Sequence, residues 1–157
     1  MSEAGQAKKA GKDAPFPFGL NPDYIKFETV YQGAEGPRNA VHAVIQSQKQ
    51  LDATLPNSAQ LGIKPGTIDF KEQQLIIVGL GERPTTGYKA VIEAVTYFTD
   101  RNEGPETHKN LPSLTVVTYT EFKPGGISGD MVTYPAHIIK TQNLTGAVQF
   151  NEVQPDR

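Results

Sequence analysis

The sequence predicts a mainly β domain, an antiparallel β-sandwich or a partly open barrel carrying one short helix. Three observations lead there. At least six segments alternate apolar with polar residues or run continuously β-branched; Pro/Gly-rich breaks recur between them; and there is one clear helix-start signal. At 157 residues the chain is long enough for one domain with a real core and modest tails.

Residues 1–14 are small, polar and lysine-bearing, too poor in apolar groups to offset ordering entropy, and are expected to be a flexible tail. Residues 15–23, Pro15-Phe16-Pro17-Phe18 onward, read as a stiff aromatic/proline arm that either packs on its own domain or docks on a neighbouring subunit. A β domain over 24–141 follows. Tyr24 to Tyr31 reads as one strand, with Ile25, Phe27 and Thr29 on one face. Gln32 to Asn39 is a loop, and Val41, Ala43 and Ile45 alternate in a second strand. Ser47 with Gln50 three residues later is a capping-box pattern that predicts a helix from Gln48 to Leu55, with Leu51 and Leu55 on its buried side. After a loop through Gly62, Pro65 and Gly66, Leu75 to Leu80 is apolar on both faces and reads as a central strand.

Lys89 to Phe98 alternates and is rich in β-branched residues. Asp100 to Pro112 reads as a polar loop. Leu114 to Phe122 is strongly β-prone and is broken by Lys123-Pro124-Gly125-Gly126. Met131 to Lys140 is expected to be extended, with Pro135 forcing an edge or a bulge. Residues 142–157 form a C-terminal extension in which Val148, Phe150 and Val153 add a last short strand.

Composition narrows the function. Fifteen Lys plus Arg against 17 Asp plus Glu give a formal charge of −2, without the basic surplus of a general nucleic-acid binder. Absence of cysteine excludes disulfides, thiolate nucleophiles and Cys-based zinc sites. No apolar run approaches the ~20 residues of a membrane helix. The first residues carry no hydrophobic segment after their lysines. A cytoplasmic location is therefore expected as the sequence stands, or a secreted or periplasmic one if a signal was removed. His42, His108 and His137 lack metal spacing, and no nucleophile, phosphate-loop or dinucleotide motif occurs. The expectation is a protein that is not an enzyme and takes no cofactor or metal.

The richest stretch is Arg83-Pro84-Thr85-Thr86-Gly87-Tyr88, between two strand-like segments. Pro84 restricts one backbone angle, Gly87 permits a positive φ, and two hydroxyls lie between them. A pre-ordered tip loses little entropy on docking, and Arg83 and Tyr88 are residue types enriched at binding hot spots. Pro124, Gly125 and Gly126 are candidates to lie beside it, and Phe16 and Phe18 to add contacts from the arm. The competing reading is an ordinary rigid connection, with Tyr88 buried and its hydroxyl bonded to backbone. Both stay open on residues alone.

The order of these pieces resembles a known family. It comprises Phe27-Glu28, Val44-Ile45 and Leu51, then Ile68-Asp69-Phe70. The strand into Gly79-Leu80-Gly81, the Arg83 to Tyr88 loop, Pro124-Gly125-Gly126, and Thr133-Tyr134-Pro135 before Ala136 to Lys140 complete it. From about Tyr24 to Thr141 this is similar to the PrcB C-terminal domain family, named for a protein associated with a bacterial protease complex. Thr85-Thr86-Gly87-Tyr88 also resembles the threonine-glycine loop of chagasin-like cysteine peptidase inhibitors. The chain differs there in having Arg83 for the asparagine before proline, and it contains no tryptophan. The resemblance implies a non-enzymatic interaction module that binds and stabilises, or regulates, a partner protein, a protease among the candidates. The alternative is a structural subunit of a larger assembly, held by its extended arm and C-terminal extension, as a homo- or hetero-oligomer.

Overall fold

A computed structural model describes residues 20–100, 113–126 and 129–155. Among the described residues, eight strands run β1 Leu20–Tyr24, β2 Glu28–Gly33, β3 Val41–Ile45, β4 Gln73–Gly79, β5 Lys89–Asp100, β6 Leu114–Phe122, β7 Ala136–Gln142 and β8 Ala147–Glu152. The helix α1 spans Gln48–Thr54, and a 3-10 turn spans Ser58–Leu61. One four-stranded sheet has the order β1-β5-β6-β8 and the other β2-β7-β4-β3. All pairs are antiparallel except β6 with β8. The protein is mainly β and sandwich-like, without a closed barrel.

Alternation sorts the side chains into two cores. Ile76, Val78 and Ile139 face Ala90, Ile92, Val95, Val117 and Tyr119 between the sheets. Leu75, Ile77 and Ile138 point the other way, onto Leu51, Leu55, Ile63 and Ile68 of α1 and the segment after it. The architecture is therefore sheet, sheet, then a thin helical cover. β4 is apolar on both faces because it is covered on both. Ser47 Oγ accepts from Gln50 N–H at 3.1 Å, while the Gln50 side chain accepts from Gln46 N–H at 2.7 Å. The capping box thus closes one residue early, and Leu51 and Leu55 are buried on the helix's inner side.

Two stretches differ from the sequence expectation. Tyr24 to Tyr31 is two strands: Tyr24 pairs with Thr96 in one sheet and Glu28 with Lys140 in the other. The chain crosses between sheets at Ile25 to Phe27, and Ile25 and Phe27 both pack on the inter-sheet core. A crossing that keeps burying alternate residues looks like one strand in sequence. Residues 20–23, expected in the arm, belong to β1, whose edge position tolerates Pro22. Pro135 is followed by a central strand, β7 between β2 and β4. It sits just before the first ladder residue, where no N–H is needed. In the expected C-terminal extension, residues 147–152 form β8, paired with β6 of the same chain.

Candidate functional site

The registers Val41↔Gly79, Gly79↔Ala136 and Lys89↔Phe122 bring three connections to one end of the sandwich. These are the β2–β3, β4–β5 and β6–β7 loops. They are laced together by backbone. Arg83 and Thr133 form an antiparallel bridge, N–H to carbonyl at 2.8 and 2.9 Å. Glu35 and Tyr134 form a parallel bridge, and Leu80 N–H reaches Pro135 O at 2.9 Å.

Arg83 is half-buried inside this network. Its Nε and Nη2 donate to the two carboxylate oxygens of Glu121 at 2.7 and 3.1 Å, a bidentate pair. Nη1 donates to Leu80 O and Glu82 O, each at 3.0 Å. The guanidinium lies 5.8 Å from the Tyr88 ring centroid. The hydrogen-bonded Glu121 carboxylate raises the arginine pKa above its usual value, so the guanidinium stays charged. Arg83 is thus a strut for the loop, with four of its N–H groups spent inside the protein.

The threonines are also engaged. Thr86 N–H donates to Gly129 O at 3.2 Å, and Gly129 N–H donates to Thr86 Oγ1 at 2.8 Å. Thr133 Oγ1 donates to Thr85 O at 3.0 Å, and Thr85 Oγ1 to Thr86 O at 3.1 Å. Gly87 has φ +97°, and a Cβ there would stand 2.8 Å from Pro124 Cβ. The two loops expected to be neighbours, 83–88 and 124–126, are therefore in contact, and Gly87 is required by both its backbone angle and the closeness of Pro124.

What faces solvent is different in kind. Pro84, Gly87, Gly125 and Gly126 are exposed, whereas Thr85, Thr86, Tyr88 and Pro124 are half-buried. Met131 is 67% exposed and Val132 45%, directly before the Thr133 bridge; Phe122, opposite Lys89, is 38% exposed. None of these three is among the site residues the sequence suggests: Phe122 closes β6 as expected, whereas Met131 and Val132, expected in an extended run to Lys140, precede β7, which begins at Ala136. Two adjacent apolar side chains break alternation, and that was the available signal. Phe16 and Phe18 lie outside the described residues, as does His108.

The histidines do separate work. His137, 4% exposed, accepts from Ile92 N–H at Nδ1 and meets Thr29 Oγ1 at Nε2, both at 2.8 Å. A backbone N–H can only donate, so Nδ1 carries the lone pair and Nε2–H donates to the threonine. Both partners adjoin bulges, between Thr29 and Tyr31 in β2 and between Ile92 and Ala94 in β5. The imidazole therefore ties the two sheets where their ladders are interrupted. Burial, then the nearby Lys89 charge, lowers its pKa to about 4. His42 is an exposed ring stacked on Phe150, with centroids 5.2 Å apart. Among the described residues no group of three His, Asp or Glu could hold a metal ion, and no helix is long and apolar enough to cross a membrane.

No curated protein and no solved structure matches the chain. A family model described as PrcB C-terminal does match, over a span narrower than the residues that first carried the resemblance. That family is a protease-complex-associated accessory domain. Residues 75–142, which hold β4 to β7 and the two laced loops between them, are the part of this chain that matches the PrcB C-terminal family.

Proposed function

We propose that this protein is a non-enzymatic interaction module that grips a partner protein, a protease or a subunit accompanying one, with the loop end of its sandwich. The observation that carries the reading is the exposed apolar crest of Met131 and Val132, fastened by the Thr133–Arg83 bridge to a Pro/Gly-stiffened turn. Large apolar side chains held in water on a rigid support gain free energy when a partner covers them. Because the support is ordered beforehand, little entropy is lost on docking. In this reading Pro84, Gly87, Gly125 and Gly126 offer close backbone approach beside the crest. Arg83, Thr85, Thr86 and Tyr88 hold the crest's shape, and Pro124 packs the two loops together.

The test replaces both crest residues, Met131→Asp with Val132→Asp, which touches neither the ion pair nor the backbone bridges. Affinity capture from the native source should recover a protease or a protein that co-purifies with one. The double variant should lose that capture by tenfold or more while melting within a few degrees of the wild type. Equal capture by both forms refutes the reading.

A further inference from the structure

Beside the loop end, a cleft of about 730 Å³ opens between the β2–β3 loop and the end of α1. One wall is Pro37, Arg38 and Asn39; the other runs from Thr54 to Asn57, with Leu55 and Val41 among the apolar lining. Among the described residues, Arg38 is the sole charged one lining it, and no carboxylate does. The guanidinium is exposed but oriented: it lies 5.3 Å from the Tyr134 ring centroid, and Nη1 donates to Tyr134 Oη at 3.2 Å. Stacking one face of the fork while leaving N–H groups free is how an arginine is prepared for a planar oxyanion. Asn57 on the facing wall precedes the 3-10 turn without capping it through its side chain, so its amide remains available.

The geometry points to a binding site for a carboxylate-bearing peptide segment, with the carboxylate on Arg38 and a neighbouring aliphatic side chain against Val41 and Pro56. The volume falls in the range of clefts that hold ligands of a few residues. Tyr134 joins this cleft to the crest: its backbone N–H donates to Ala34 O at 2.8 Å, and Thr133 beside it is bridged to Arg83. A partner seated on Met131 and Val132 would thus rest on a loop hydrogen-bonded to the one that carries Arg38. The inference rests on the interaction reading only in taking the peptide to come from that partner.

Three capped probes separate the sources of the carboxylate: acetyl-leucyl-alanyl-aspartyl amide, acetyl-alanyl-alanyl-leucine with a free C-terminus, and acetyl-leucyl-alanyl-asparaginyl amide as the neutral control. Titration into the full chain, followed by amide chemical shifts, should give saturable changes at 36–41 and 54–57 with at least one carboxylate probe. Whichever of the two binds more tightly identifies a side-chain or a terminal carboxylate. The neutral probe should bind at least tenfold more weakly. Arg38→Gln should cost the carboxylate probe about tenfold, and Asn57→Asp, which adds like charge to the facing wall, should weaken it several-fold while leaving the neutral probe unchanged. No saturable shift in the cleft, equal binding of neutral and charged probes, or carboxylate binding indifferent to both substitutions overturns the proposal. The probes need no partner, so their failure leaves the crest experiment standing, and failure of partner capture leaves the probe result standing.

Discussion

Acid should loosen this protein through one side chain, His137. In the folded state its Nδ1 lone pair accepts from Ile92 N–H. Protonation would set two N–H groups against each other at a place where burial already disfavours charge. The folded pKa is lowered from 6.5 to about 4. As pH falls below 6.5 the unfolded chain takes up the proton first, so the stabilisation is complete above that value. It declines through the window from 6.5 to about 4 and is exhausted below it. At about 1.4 kcal/mol per pH unit, the linkage is capped at roughly 3 kcal/mol. About half of it should be lost between pH 6.5 and 5.2. Urea midpoints followed by far-UV circular dichroism across pH 4.5–7.5 measure this directly. His137→Gln supplies the non-titrating reference and removes the carboxylate contribution common to both chains. The variant itself should be weaker by about 1–3 kcal/mol at pH 7.5, since the Ile92 and Thr29 bonds are remade imperfectly. Parallel pH profiles for the two proteins, or an imidazole titration midpoint above 6, would refute the reasoning.

Further outcomes follow from the same contacts. Arg83→Ala should destabilise by about 1–3 kcal/mol, because it strands Glu121, whose side chain is 12% exposed; a double-mutant cycle with Glu121→Gln should show coupling, and Arg83→Lys should recover only part of it, which thermal melting can check. Gly87→Ala should cost more than about 1 kcal/mol from its positive φ and the Pro124 contact. Adding Pro124→Gly should relieve the steric share alone, so full recovery by calorimetry would contradict the backbone argument. Leu51→Ala, at a fully buried position under β4, should cost about 2–5 kcal/mol; a loss below 1 in urea unfolding would mean that the helical cover adds little to the core.

The strands legible in sequence were those with local cause. β6 spans Leu114–Phe122 and β3 spans Val41–Ile45, as alternation predicts, and α1 starts after Ser47 because its cap is written in neighbouring residues. The 83–88 turn was also legible as special, since Pro84 and Gly87 act on their own backbone. Its division of labour was not. Whether Arg83 meets solvent or Glu121 depends on a residue 38 positions away, and no local pattern encodes that.

By itself the sequence determined a cysteine-free, charge-balanced, β-rich chain with one capped helix and a stiffened threonine turn, because periodicity, capping and φ restriction act within a few residues. Tertiary structure alone decided that Ile25 to Phe27 cross between sheets, that His137 is a neutral inter-sheet tie, and that Met131 and Val132 stand in water beside the Arg83 strut. Those outcomes depend on which distant strands become neighbours, and the free energy of burial that selects them is a property of the assembled layers.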